Sequence, residues 1–265
     1  GLYPLYVTYS LYRKRKQDFE AVEGLIEDID NYSIEEEQVI WDDILTNNIY
    51  VICNTPMARR ITLRTLLGFR ELYKKTGYEE MNVKSEQLIE RVITDRDSLI
   101  KDLQSVGYWR NNKKIKDTMK FSAVVGNPPY QESSDVNNRQ NPIYHHFYDL
   151  AGSLTKVYSI ISPARFLFNA GLTPAEWNKK MLNDEHIKVV YYNKNSSEIF
   201  PNTEIKGGVV ILLRNSDCNF GAIGSFIPND TLSQIASNFT KDNSTNLPSI
   251  IFGGRSDLKF NKAFL

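Results

Sequence analysis

With two cysteines in 265 residues, the chain has no disulfide framework. Cys53 and Cys218 lack metal-ligand spacing and read as buried or incidental thiols. Histidine is equally scarce, with three residues, which leaves no basis for a histidine-rich metal centre. His145 and His146 are adjacent in a segment patterned as a helix. They are expected to face different directions and to serve structural or solvent roles. No apolar run approaches the roughly 18 residues of a membrane span, and no charged start leads into an apolar stretch like that of a signal peptide. The expected location is therefore the cytoplasm, with no membrane partner. Neither charge is in excess: 32 basic residues balance 32 acidic ones, so no global field marks a nucleic-acid binder. Local basic clusters exist at Arg59, Arg60, Arg64 and Arg70, and at Arg110, Lys113, Lys114, Lys116 and Lys120. Both read as solvated faces.

The most informative stretch is Phe121-Ser-Ala-Val-Val-Gly-Asn-Pro-Pro-Tyr130. Its apolar start predicts a strand over Phe121 to Val125, buried on both faces of a parallel sheet and delivering Asn127 at its carboxyl end. Two successive prolines remove two backbone donors and hold the chain extended, so nearby carbonyls stay open to accept. The Asn127 side-chain oxygen and the Pro128 carbonyl could then bind the two hydrogens of an exocyclic amino group. That would help to localise a lone pair otherwise delocalised into a heterocycle. Tyr130 supplies a flat face for stacking, a contact worth roughly 1 to 3 kcal/mol per base in nucleic-acid complexes. Catalysis would rest mainly on positioning. Taken alone, the tetrapeptide is also what a turn after a core strand would show.

The surrounding pattern favours the first reading. A helix is expected over Leu2 to Phe19 and another over the acidic stretch Glu20 to Asp43. Asn48 to Asn54 reads as a buried strand, Thr55 as a helix N-cap and Pro56 as the first helical residue, with the helix running to about Lys74. Val83 to Leu103 is patterned as one charged amphipathic helix, and Gly107 to Lys120 as a polar, basic connection. Gln131 to Asn141 reads as a polar lid-like loop. A helix over Pro142 to Leu154, a strand over Lys156 to Ser162 and a helix carrying Trp177 and Met181 follow. Strands at Ile187 to Tyr192 and Gly208 to Leu213 are too close for a crossover helix and should be antiparallel. The alternation predicts an open, mostly parallel α/β sheet with one reversed strand near its end. Ligands in such sheets bind beyond the carboxyl ends of the strands, where Asn54-Thr55-Pro56 and Asn127 to Tyr130 both fall.

With this order of elements, the chain resembles the class I S-adenosylmethionine-dependent DNA adenine-N6 methyltransferases of restriction-modification systems, which have a Rossmann-like fold. Leu45 to Thr55 is similar to the family's second cofactor strand, and Asn127 to Tyr130 to its catalytic motif. Ser162-Pro-Ala-Arg-Phe166 is similar to the strand and turn after that motif. Asn195 to Pro201 with Ile205 to Val210 resembles the closing hairpin beside the target-base pocket. The resemblance implies catalytic roles for Asn127, Pro128, Pro129 and Tyr130. It implies S-adenosylmethionine binding by Gly1, Asn54, Thr55, Pro56, Asn141 and Pro142, and a target-base contact by Phe200. For Asn141, helix capping is an equal alternative. For Phe200, the alternative is an ordinary core aromatic.

The implied substrate is double-stranded DNA with its adenine extruded from the stack. A restriction or specificity region would lie in the same or another chain. The sequence departs from the family twice. Gly1-Leu-Tyr-Pro-Leu resembles only the last glycine of the cofactor loop and the helix it opens. Cys53, Asn54 and Thr55 stand where an acidic residue usually holds the ribose. Residues 1–215 are expected to form the methyltransferase domain. Residues 216–265 are expected to be loop-like, the start of a target-recognition region, with a turn at Phe252-Gly-Gly254. Protein glutamine N5-methylation and a noncatalytic DNA-binding or assembly module are the rival readings.

Overall fold

A computed structural model describes residues 2–23, 34–68, 82–85, 87–105, 108–110, 113–115, 120–132, 141–201 and 203–240. The chain divides into two compact units, Gly1–Ile223 and Gly224–Leu265.

The first unit opens with helices α1 (Leu2–Glu23) and α2 (Ile34–Asn48), followed by the short strand β1 (Val51–Cys53). Helix α2 thus continues to Asn48, where a strand was expected to begin. Apolar residues of α2, notably Ile44 and Leu45, pack with Ile49, Leu66, Leu67 and Val83 in one core, which Val51 joins from β1. Tyr50 and Ile52 turn the other way, toward a second core of Val92, Leu99, Leu103, Phe147 and Leu150. Alternation along the strand therefore gives β1 helices on both faces, the layering of an α/β domain.

Helix α3 (Pro56–Leu67) starts as its sequence dictates. The Thr55 hydroxyl accepts from the Ala58 N–H at 3.1 Å, and Pro56 fills the first turn. It stops at Gly68, whose φ of 65° suits glycine and whose N–H donates to the Arg64 carbonyl. The expected extension toward Lys74 lies outside the described residues.

Val83 to Leu103 is not one helix. Val83–Ser85 forms β2, parallel to β1, and α4 (Leu88–Thr94) and α5 (Arg96–Ser105) follow, separated by non-helical Asp95. Pairing with a remote strand here overrides the local helical period. The expected basic connection likewise contains an antiparallel pair, β3 (Tyr108–Arg110) and β4 (Lys113–Ile115).

The larger sheet has the order β5-β6-β8-β7, built from β5 (Val124–Gly126), β6 (Val157–Pro163), β7 (Ile187–Asn193) and β8 (Val209–Asn215). β5 pairs parallel with β6, whereas β8 runs antiparallel to both β6 and β7. Three of the four strands therefore share one direction, and the reversed strand, last in sequence, lies between two of them. The described strands form three separate hydrogen-bonded sheets rather than one.

β5 corrects the expected strand in two ways. It begins at Val124, not Phe121, and Val125 is 48% exposed, because β5 is a three-residue edge strand rather than an interior one.

Helix α6 (Tyr144–Leu154) covers β6. The buried Tyr148 hydroxyl lies 2.9 Å from the Ser162 Oγ, and the rings of Tyr144, Tyr148 and Phe166 surround Trp177 on α7 (Ala175–Asn183). The rings of His145 and His146 approach to 4.0 Å, so the two do not diverge as expected.

Within the second unit, the stretch expected to be loop-like contains helix α8 (Asp230–Thr240). Its first turn is capped by the Asn229 side-chain oxygen, which accepts from the Leu232 N–H. The Phe252-Gly-Gly254 turn lies outside the described residues.

Candidate active site

β5 and β6 run in parallel with Gly126 opposite Ile160, so the Asn127 loop emerges at the carboxyl edge of the sheet. Pro163 on β6 pairs with Val209, the first residue of β8, and Asn193, the last residue of β7, pairs with Val209 as well. The ends of β5, β6 and β7 and the start of β8 thus share one edge.

Asn127 to Tyr130 belong to no helix or strand. The following chain doubles back on them: the Ile143 N–H donates to the Tyr130 carbonyl and the Glu132 N–H to the Asn141 carbonyl, both at 3.1 Å. Gln131 and Pro142 form the accompanying antiparallel bridge. Asn141 therefore does not cap α6. The capping position is Ile143, which provides no side-chain cap, and Asn141 and Pro142 instead pair with the chain that follows Tyr130. Among the described residues, the Pro128 carbonyl accepts no hydrogen bond.

Tyr130 is half-buried, and its ring meets Phe200 edge-on at 6.4 Å. That contact joins the β7–β8 connection to the Asn-Pro-Pro-Tyr loop. Burial raises the Tyr130 phenol well above its ordinary pKa, the Tyr3 phenol raises it further and the nearby Asn127 side chain lowers it slightly. The hydroxyl is itself buried without a well-formed hydrogen bond, so the Asn127 amide is a neighbour rather than a properly aligned donor. Tyr3 was missed in the sequence. Its only signal is its place within Gly1-Leu-Tyr-Pro-Leu, the stretch resembling the end of the cofactor loop and the helix it opens.

The second expected cluster falls at the carboxyl end of β1, where Asn54, Thr55 and Pro56 are exposed. Two of these side chains already have local partners. The Asn54 Oδ1 accepts from the Ile89 N–H at 3.1 Å, tying β1 to the start of α4, and the Thr55 hydroxyl caps α3. The Asn54 NH2 group remains available to donate. Gly1 lies outside the described residues. No group of three or more potential metal ligands occurs among the described residues, and no described helix is long and apolar enough to cross a membrane.

A mixed α/β domain with an Asn-Pro-Pro-Tyr loop at a sheet edge defines a methylase class, and comparison with known proteins makes the assignment specific. Residues 47–200 match the Eco57I restriction-modification methylase family, and the chain belongs to that family. It is also 33% identical over 106 residues to a protein of Mycoplasma pneumoniae named "Uncharacterized adenine-specific methylase". That match covers 38% of this chain and 24% of the relative, so the chain corresponds to a minor part of that protein's length. No solved structure matches the chain.

Proposed function

We propose that the chain is the catalytic part of a DNA adenine-N6 methyltransferase of a restriction-modification system, acting on an adenine extruded from duplex DNA. The observation that carries this reading is the Asn127-Pro128-Pro129-Tyr130 loop, held by the bonds that Ile143 and Asn141 make to Tyr130 and Glu132, with the Pro128 carbonyl unengaged among the described residues. S-adenosylmethionine, when bound, supplies a methyl group on a positively charged sulfur.

The Asn127 Oδ1 and the Pro128 carbonyl accept the two amino hydrogens and so orient the nitrogen lone pair toward that methyl. Tyr130 stacks on the base, and Phe200 supports the Tyr130 ring edge-on. Extrusion costs a few kcal/mol, and stacking offsets part of it. At the end of β1, the exposed Asn54 NH2 can donate to a ribose hydroxyl, and Thr55 and Pro56 open the adjoining helix. That donor fits a ribose, although without the charge a carboxylate would bring. Asn141 and Pro142 fit the cofactor side by holding the loop in place. Residues 1–215 would form the catalytic domain and the remainder the start of a recognition region.

The deciding experiment measures labelled methyl transfer to duplex DNA by the complete protein and its Asn127→Ala variant. Asn127 is exposed, so the variant should keep its thermal stability while losing methyl transfer by at least about 100-fold, the scale for removing a positioned transition-state hydrogen-bonding group. Undiminished transfer by the folded variant would refute the assignment.

A further inference from the structure

Arg165 opens a short 3-10 turn, Arg165–Phe168, immediately after β6, on the same edge as the catalytic loop. Two glycines make room for its side chain. At Gly207, with φ +88°, an added Cβ would sit 2.6 Å from the Arg165 Cγ. At Gly171, with φ +105°, it would sit 3.5 Å from the Arg165 Cβ and 3.8 Å from Nε. Both backbone conformations favour glycine, so the loop after β6 and the turn before β8 together form a cradle shaped around this arginine.

The cradle supplies no counter-charge. Among the described residues, Arg165 has no ion-pair partner, in contrast to Arg91, Arg96 and Arg214, which each meet an aspartate. The two carboxylates of the β7–β8 connection, Glu198 and Glu204, form no ion pair with it among the described residues, and both Glu198 oxygens accept from the side-chain amides of Asn193 and Asn195. Exposed Lys194 and Lys206 add positive charge to the same connection. β6 runs on past Ile160, the partner of the last β5 residue, Gly126, toward Arg165, and the β7–β8 connection that meets Arg165 at Gly207 also touches Tyr130 through Phe200. A held guanidinium with no ion-pair partner among the described residues thus lies on the sheet edge that carries the position assigned to the target base.

We propose that Arg165 is a phosphate anchor: its guanidinium binds a phosphodiester of the target strand next to the extruded adenine. The inference rests on the DNA-methylation reading above and adds a substrate contact to it. A planar guanidinium suits a phosphate because two parallel N–H donors match two oxygens, fixing register as well as adding charge. An extruded nucleotide rotates about its backbone, so a fixed neighbouring phosphate defines where the base arrives. Arg165 is a positioning residue in this scheme and touches no reacting atom.

The test measures binding of a fluorescent mixed-sequence duplex to the complete protein across a salt series. It compares wild type with Arg165→Gln, Arg165→Lys, Gly207→Ala and, as a control at the opposite end of β6, Lys156→Ala. Loss of one phosphate contact lowers the slope of log K against log salt by about 0.9. Arg165→Gln should show that drop together with a several-fold higher KM for DNA and little change in kcat. Arg165→Lys should recover the slope but not the full affinity, and Lys156→Ala should leave the KM unchanged. Gly207→Ala crowds the guanidinium stem and should weaken binding in wild type while adding little in the Arg165→Gln background. Folded Arg165→Gln protein with wild-type slope and KM overturns the anchor. A complete wild-type protein that binds no duplex and methylates none overturns the methylation reading itself.

Discussion

Acidification should destabilise this fold through one imidazole. His145 is buried on α6, and its pKa falls from 6.5 to about 4. Burial is the main cause, and the neighbouring His146 adds to the depression. Asp149 pulls the other way, but its carboxylate is already engaged by Arg96 at 3.2 Å and Lys180 at 3.0 Å. The folded state therefore favours the neutral ring. Its contribution is intact above the unfolded pKa of 6.5 and is lost as pH falls from there through about 4, because the unfolded chain takes up the proton first.

Between about pH 7.5 and about pH 5 this single group costs about 2 kcal/mol, an order-of-magnitude figure obtained by integrating the linkage relation between the two pKa values. For a unit of this size, that corresponds to a fall in Tm of roughly 4–8 °C. The perturbation that isolates it is His145→Gln. The Nδ1 has no hydrogen-bond partner, so the substitution breaks no bond there at neutral pH. Thermal unfolding of both proteins at the two pH values gives a double difference. The wild-type Tm should fall further than that of the variant by the stated amount. His146, whose pKa is also lowered, accounts for part of any fall that remains. Equal falls in the two proteins would refute the assignment of a buried neutral ring.

Two further outcomes test the site and its hairpin. Tyr130→Phe should leave stability within about 0.5 kcal/mol and retain methylation, because the hydroxyl has no well-formed bond to lose, whereas Tyr130→Ala should reduce kcat/KM for DNA by roughly 5- to 150-fold through lost stacking. Steady-state methylation and urea unfolding check both, and equal activity of the two variants would remove stacking from the mechanism. Gly208→Ala would place a Cβ 2.2 Å from the Asn193 carbonyl oxygen and 2.7 Å from the Lys194 Cα, in a backbone conformation with φ +82°. Urea unfolding should show a loss of about 1–3 kcal/mol or more, and an unchanged midpoint would mean that β7 and β8 are joined differently.

Where local chemistry alone specifies structure, sequence reasoning located the elements well. Thr55-Pro56 start α3 because a hydroxyl cap and a proline need no remote partner. The short β7–β8 connection excludes a crossover helix, and the antiparallel pair follows. The Asn-Pro-Pro-Tyr loop identifies itself because two prolines forbid regular pairing whatever surrounds them. Remote pairing was not legible. Val83–Ser85 has a helical period yet becomes a strand, because β1 offers it a parallel partner. The exposure of Val125 depends on β5 being an edge strand, which its apolar composition could not reveal.

The sequence by itself determined the irregular Asn-Pro-Pro-Tyr loop, the capped helix beyond β1 and the reversed last strand, since each follows from short-range sterics or a connection length. Only the tertiary structure decided which remote groups meet there. Phe200 reaches Tyr130, Ile143 and Asn141 bond back to Tyr130 and Glu132, and two glycines make room for Arg165, which has no ion-pair partner among the described residues. The Phe200–Tyr130 and Gly207–Arg165 contacts join residues tens of positions apart, and strand register, which no local pattern encodes, brings them together.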